Sequence, residues 1–347
     1  MAQVQLQSGV IRQEATPLNQ WLKRLGWPLT VILLLLAIFI WRSLTGDQPL
    51  ADLMSVVIIS LTFATPITLG ALGGTFSERS GVVNIGIEGM MLGGAFFGAL
   101  AALLTGQLWL ALLVGPFSAM GLAVLHGVLS IYFRVDQIIS GTVINIFAFG
   151  FTSYLNALLL RDNKKTPVKL PGFNFNIGTS PYSLGIITVV AILAVFIAHY
   201  VLFYTTWGLR TRAVGENPKA ADTAGVNVFT VRYLNVAISG FLAGLGGIYF
   251  SLQELGYFTE GMTVGTGFIA LAAMIFGKWT PLGAWGAALL FGFSQTMDTV
   301  LQSWYGQVSW LHTITQALPY LVTILVLTGL VGRSRPPAAV GVPYVKQ

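Results

Sequence analysis

The apolar positions of this chain follow neither strict alternation nor a narrow helical stripe. They run on for about twenty residues at a time, the length a helix needs to cross a bilayer. Ten such runs can be drawn, at 27–44, 51–72, 84–105, 108–130, 138–160, 183–206, 233–254, 264–277, 283–302 and 310–331. Two of them break the pattern. The third starts in a polar, glycine-rich stretch. The eighth is short enough to be broken or re-entrant, an arrangement tolerated only where protein or a water-filled cavity covers the backbone. The pattern predicts an all-α polytopic membrane protein of about ten transmembrane helices. These form one domain over 27–332, with a loop at 161–182, a second loop at 207–232, and tails at 1–26 and 333–347. Similar segments at Leu69–Phe76 (LGALGGTF) and Leu242–Phe250 (LAGLGGIYF) suggest two related halves, about 51–160 and 233–331.

Composition sharpens this picture. Only 9% of the 347 residues are charged and 55% are hydrophobic, against roughly a quarter charged in soluble domains. The net charge of +6 points to membrane orientation rather than to nucleic acid. Arg79, Arg134, Arg210, Arg212, Arg232 and Lys278 all fall on one side of the proposed spans, which places both termini inside. Of the exceptions, Arg161, Lys164, Lys165 and Lys169 share the external loop. Trp27, Trp41, Trp109, Trp207, Trp279, Trp285, Trp304 and Trp310 lie near span ends, as an interfacial belt would. The chain has no cysteine, and His126, His199 and His312 are far apart, so neither thiolate chemistry nor a metal site is expected. Ala272–Trp279 (AAMIFGKW) lacks both the first glycine and the final hydroxyl of a phosphate-binding loop. The chain is expected to be non-catalytic, without a nucleotide site of its own.

Chemistry gathers in Gly73–Leu92 (GGTFSERSGVVNIGIEGMML), where Glu78, Arg79, Asn84 and Glu88 interrupt apolar sequence. A carboxylate at membrane depth is costly, so Glu88 is expected to be paired, neutral or beside a wet cavity. Two readings stand. In one, Asn84 and Glu88 share a helical face that lines the substrate path, with Gly86 and Gly89 allowing close backbone approach. In the other, Glu88 pairs with Arg79 or caps a helix and never meets substrate. This stretch is expected to be irregular at its start. Asn145, in an otherwise apolar run, is the better path candidate than Asn156; His126, Gln253 and Asp298 read as packing residues. Within the loop Trp207–Tyr233, Asn217 and Pro218 can open a short helix and Gly225 can end it. Such a helix would suit a cytosolic docking partner.

Three segments carry a resemblance: FSERSGVVNIGIEGMMLGGAF, IISGTVINIFA and RAVGENPKAADTAGVNV. Together they resemble the permease subunits of ATP-binding-cassette importers, in the branch that contains ribose and branched-chain amino-acid permeases. Within it the likeness is closest to the nucleoside and simple-sugar group. The resemblance implies a bacterial inner-membrane permease paired with a second homologous permease. It also implies a cytosolic ATPase that holds the ATP and magnesium, and a binding lipoprotein or periplasmic protein that delivers the nucleoside or sugar. It assigns Gly215, Glu216, Asn217, Pro218, Ala220 and Ala221 to the coupling helix that docks the ATPase. A ribose-like sugar permease and an ion-coupled secondary transporter are the alternatives.

Overall fold

A computed structural model describes residues 49–160, 169–177, 180–305 and 335–346, together with the single positions 317 and 321. The tail at 1–26 and the expected span 27–44 lie outside the described residues, as does 310–331 apart from those two positions. Every expected run from 51–72 to 283–302 coincides with a helix. These are α1 (Pro49–Arg79), α2 (Ile87–Thr105), α3 (Leu108–Gly127), α4 (Gln137–Leu155), α5 (Ile186–Tyr204), α8 (Val228–Ile248), α9 (Thr266–Phe276) and α10 (Pro281–Tyr305). Two shorter helices, α6 (Thr206–Glu216) and α7 (Pro218–Thr223), lie between α5 and α8. Helices α3, α4 and α8 each continue into a π-helical turn, at Val128–Tyr132, Asn156–Leu160 and Tyr249–Leu255. Among the described residues six helices are long and apolar enough to cross a membrane.

The centre of the bundle is the trio α1, α2 and α8. Helix α3 packs on α2 and α8, α9 and α10 pack on α1, and α4 covers α2. Glycine sets the distances. A Cβ at Gly94 would stand 2.6 Å from the Gly244 Cα, and one at Gly247 would collide with the Met91 carbonyl. Without a hydrophobic drive between helices in lipid, such small-residue contacts supply close van der Waals packing. The two similar segments, Leu69–Phe76 and Leu242–Phe250, thus lie on helices that touch each other and α2. Helices α1 and α2 are mostly buried, whereas α3, α4 and α5 turn most of their apolar surface outward.

Several boundaries differ from expectation. Helix α1 does not stop at 72 but runs to Arg79, so Gly73–Arg79 is helical and the irregular backbone is Ser80–Gly86. Gly81, at φ +91°, ends the helix. Its N–H donates to the Glu78 carbonyl, and the Val82 N–H donates to that of Ser77, the paired bonds of a Schellman stop. Residues 180–185, partly assigned to the sixth span, instead form a strand β2 (Ser180–Gly185). It pairs antiparallel with β1 (Gly172–Ile177), with Gly172 opposite Gly185. The first half of the expected 207–232 loop is helix α6, capped by the Thr205 hydroxyl. Trp279 is buried at a helix end rather than facing outward.

Gly247→Leu is expected to destabilise the α2–α8 crossing by about 1–3 kcal/mol through overpacking. Gly121→Ala, where an added Cβ meets nothing within 4 Å, is expected to be neutral or slightly stabilising. Thermal unfolding of the detergent-solubilised chain checks both.

Candidate functional site

The Ser80–Gly86 segment returns from the end of α1 into the apolar bundle without helical hydrogen bonds. Its depth follows from its neighbours: a Cβ at Gly74 would touch both Ile87 and Met274, five residues before α1 ends. Backbone groups here need partners, and side chains from three helices supply them. The Val83 N–H donates to Gln137 Oε1 at 2.7 Å, and the Val83 carbonyl accepts from His126 Nε2 at 2.9 Å. Because a carbonyl only accepts, Nε2 carries the imidazole proton, and Nδ1 accepts from the Ser140 hydroxyl at 2.9 Å. The Ser77 hydroxyl donates to the Val82 carbonyl at 2.7 Å. Asn145 bridges the last step: its amide donates to the Ile85 carbonyl at 3.0 Å, and its Oδ1 accepts from the Gly89 N–H at 2.8 Å. Gly89 must be small because α4 lies against it; a Cβ would stand 2.8 Å from the Asn145 Cα.

A second broken helix meets this one. Between α8 and α9 the chain passes through residues 256–265, where Gly256, Gly261, Val264 and Gly265 all have positive φ. Val264, at φ +45° and largely exposed, is a β-branched residue in a region such side chains rarely occupy. Helix α9 then starts against the first turn of α2: a Cβ at Gly267 would lie 2.6 Å from the Glu88 Cα. The Glu88 carboxylate closes the junction. Oε1 accepts from the Thr263 hydroxyl at 2.5 Å and the Gly265 N–H at 2.9 Å, and Oε2 accepts from the Gly267 N–H at 2.6 Å. A carboxylate at a helix N-terminus meets both the free N–H groups and the positive end of the helix dipole. Beside the start of α9 lies a cavity of about 120 Å³, lined by Phe63, Tyr249, Phe250, Glu254, Thr266 and Gln295 among others. The Tyr249 hydroxyl donates to Glu254 Oε2 there at 3.2 Å.

The far end of α9 is clamped as well. Its last carbonyls close a Schellman stop whose left-handed position is Lys278, at φ +55°. Arg79 holds that turn, donating through Nε to the Trp279 carbonyl at 2.7 Å and through Nη2 to that of Lys278 at 3.2 Å. The Trp279 indole N–H donates to Glu78 Oε2 at 2.6 Å. At this same basic end lies α7. Asn217 caps it, its Oδ1 accepting from the Ala220 N–H at 3.1 Å, Pro218 occupies its first turn, and Gly225, at φ +83°, ends it. Glu216, Asn217, Lys219 and Ala220 are exposed, whereas Ala221 is buried. Gly215 is buried too, and a Cβ there would collide with the Arg79 carbonyl.

The expected site residues therefore fall into two groups. Asn84, Gly86, Glu88, Gly89 and Asn145 do come together around the starts of α2 and α9. Asn84 and Glu88 do not share a helical face, because α2 begins only at Ile87. Asn84 is fully buried and donates to the Ser239 hydroxyl at 2.9 Å. Glu88 caps α9, while Arg79 serves the opposite end of that helix. Sequence reasoning missed Gln137 and Ser140 as partners of the returning backbone, and Thr263–Gly267 as the partner of Glu88. The glycine spacing in GYFTEGMTVGTG (Gly256–Gly267) was the available signal for the break.

Comparison with known proteins adds an independent line. The family described as branched-chain amino acid transport system / permease component matches residues 56–327. The chain is 42% identical to the guanosine ABC transporter permease protein NupQ of Bacillus subtilis, over 86% of this chain and 98% of that protein. It is 37% identical to the nucleoside ABC transporter permease protein NupC of Lactococcus lactis, over 85% of this chain and 98% of that one. Similarity extends at 31% identity to the guanosine ABC transporter permease protein NupP, also of Bacillus subtilis, over 66% of this chain and 69% of that protein.

Glu88→Gln presents an amide N–H₂ where only acceptors fit, and is expected to cost about 1.5–3 kcal/mol, the range for hydrogen bonds to a charged group. Asn145→Leu removes a helix cap and is expected to cost about 0.5–2 kcal/mol. Thermal unfolding of the purified variants reads both.

Proposed function

This chain belongs to the permease-component family of branched-chain amino acid transport systems, and we propose that it is the membrane-spanning subunit of an ATP-driven importer for nucleosides. The observation that carries the substrate class is the likeness to NupQ over nearly that protein's whole length. The permease reading also agrees with the helical body and its two interrupted helices. Discontinuous helices whose ends meet inside a bundle are a recurring way to bring polar backbone to a transported solute. In this reading the path runs past the junction of α2 and α9, near Glu88 and Asn145, and the adjacent cavity offers aromatic surface and hydrogen-bonding groups. Those groups suit an uncharged base and ribose.

The chain makes and breaks no bond. It supplies one wall of the path, and a second, homologous permease supplies the other; that NupP and NupQ occur in one organism supports such a pairing. The outward apolar faces of α3, α4 and α5 are available to that partner and to lipid. ATP and magnesium belong to a cytosolic ATPase that docks on the exposed face of α7, and a binding protein delivers the solute from the opposite side. Ten spans with both termini inside a bacterial cytoplasmic membrane complete the arrangement. The basic end then faces the cytosol, and the β1–β2 hairpin faces out.

Vesicles holding this chain with its second permease and ATPase should concentrate labelled guanosine only when ATP is hydrolysed, and vesicles holding this chain alone should not concentrate it. Uphill uptake by the lone chain without ATP would overturn the importer reading. Pro218→Gly combined with Lys219→Glu should leave membrane insertion intact and abolish co-purification of the ATPase.

A further inference from the structure

The C-terminal segment 335–346 is not a free tail. It crosses the basic end of the bundle and bonds to four neighbours in turn. The Ala338 N–H donates to Glu216 Oε2 at 3.2 Å and the Ala339 N–H to the Gly215 carbonyl at 2.8 Å, both at the end of α6. The Gly341 N–H then donates to the Gly81 carbonyl at 3.2 Å, on the returning segment itself. Arg232, buried in the first turns of α8, donates through Nη1 to the Val342 carbonyl at 3.1 Å. Finally Tyr344 enters an apolar cluster with Val214, Ala221, Val228 and Val231. Its ring lies 5.5 Å from that of Phe229, and Ala221, in the same cluster, belongs to α7.

The local sequence shapes this crossing. The Val342 N–H returns to the Ala339 carbonyl, and Gly341 has φ +78°, so Ala339–Val342 is a turn that needs glycine at its third position. Gly81 is equally constrained, since a Cβ there would stand 2.9 Å from Arg232 Nη2 and 3.2 Å from the Ala339 carbonyl. The segment therefore touches the exposed helix at one place and the start of the Ser80–Gly86 backbone, at Gly81, at another. Arg232 Nε and Nη2 are buried and find no hydrogen-bond partner among the described residues.

We propose that residues 335–346 form a strap that carries displacement of α7 to the Ser80–Gly86 segment, with Tyr344 as its positioning residue. The proposal rests on the importer reading above and adds to it a second mechanical link beside the direct contact of Gly215 with the end of α1. Tyr344 meets no substrate; it holds the strap to α7 so that the two move together. Coupling through such an element is a matter of which contacts survive the motion, and the coupling between two sites of a protein is typically about 5–150-fold in all.

The test uses the importer assembled with its own second permease and ATPase, and reads guanosine uptake and ATP hydrolysis on the same vesicles. Tyr344→Ala should leave hydrolysis within about twofold of the parent while uptake falls about tenfold, so that ATP spent per guanosine rises. Tyr344→Phe, which keeps the ring, should recover most of the uptake. Unchanged uptake in Tyr344→Ala would overturn the strap, as would an equal fall in hydrolysis and uptake, which marks a loss of assembly alone. Because the chain has no cysteine, spin labels can be placed on cysteines substituted for Val342 and for the exposed Ala224, whose N–H bonds to the Ala220 carbonyl just past the end of α7. Their separation should stay constant through the ATP cycle; a separation that changes overturns common motion. Lys219→Glu separates the two readings. Loss of ATPase binding in that variant with no effect of Tyr344→Ala rejects the strap alone, whereas ATPase binding indifferent to Lys219→Glu rejects the docking face itself.

Discussion

Backbone that leaves a helix inside an apolar bundle must find hydrogen-bond partners locally, because neither water nor lipid will supply them. Ser80–Gly86 is under that constraint, and the polar residues of the bundle interior are placed to meet it. Ser77 takes Val82, Gln137 and His126 take the two groups of Val83, and Asn145 takes Ile85 and Gly89. They come from three helices, so the segment ties α1, α3 and α4 to the start of α2. Leaving one such group unpaired costs about 1–3 kcal/mol, comparable with a sizeable fraction of a domain's total stability. These polar side chains are therefore as much a part of the fold as the leucines around them.

The same constraint explains why much of the fold was legible from apolar run length and much of the site was not. The spans from 51–72 to 283–302 could be drawn because about twenty apolar residues in a row have few other uses. The end of α1 is hidden in the sequence because Gly73, Gly74, Thr75 and Ser77 look like a loop. In place, Thr75 bonds back to the Ala71 carbonyl, and the glycines face α2, α8 and α9. Helix α6 reads as loop in the sequence because its polar TWGLRTRAVGE carries little apolar periodicity, and packing against α5, α8 and the end of α1 holds it. The short helix α7 was legible because its stop and start signals are local: Asn217, Pro218 and Gly225 act within a few residues of themselves. Asn145 and Glu88 were legible as odd residues in apolar sequence but not as caps. Their partners are backbone groups 56 and more than 170 positions away, and backbone groups carry no sequence signature.

Helix α9 shows how the pieces combine. Eleven residues long, it is too short to span a bilayer, so both of its ends fall where free backbone groups need partners. Its N-terminus is held by the Glu88 carboxylate from α2, and the turn after its C-terminus by the Arg79 guanidinium from α1. A negative group at the start and a positive one at the end match the helix dipole. The backbone strain recorded at Val264 and Lys278 sits just outside those two clamps. Clamped in this way, α9 is positioned as a rigid unit whose two ends follow two different helices.

Arg79 also marks where α1 meets the exposed α6–α7 unit, since Gly215 packs on its carbonyl. A displacement at the basic end thus has a short route: from α6 to the end of α1, through the Arg79 guanidinium to the turn after α9, and along α9 to Glu88 at the start of α2. No step of that route crosses a flexible side-chain gap, because each joint is a backbone contact or a charge-assisted hydrogen bond. Packed elements of this kind shift between discrete arrangements rather than deform continuously. The glycines at Gly94, Gly244 and Gly247 keep α2 and α8 in backbone contact, so α2 has little freedom to slide on α8. Beside that route lie two non-helical segments, Ser80–Gly86 and 256–265, which flank Glu88 on both sides. The junction of the two broken helices thus lies between those segments, beside the half-buried Glu88 and Asn145.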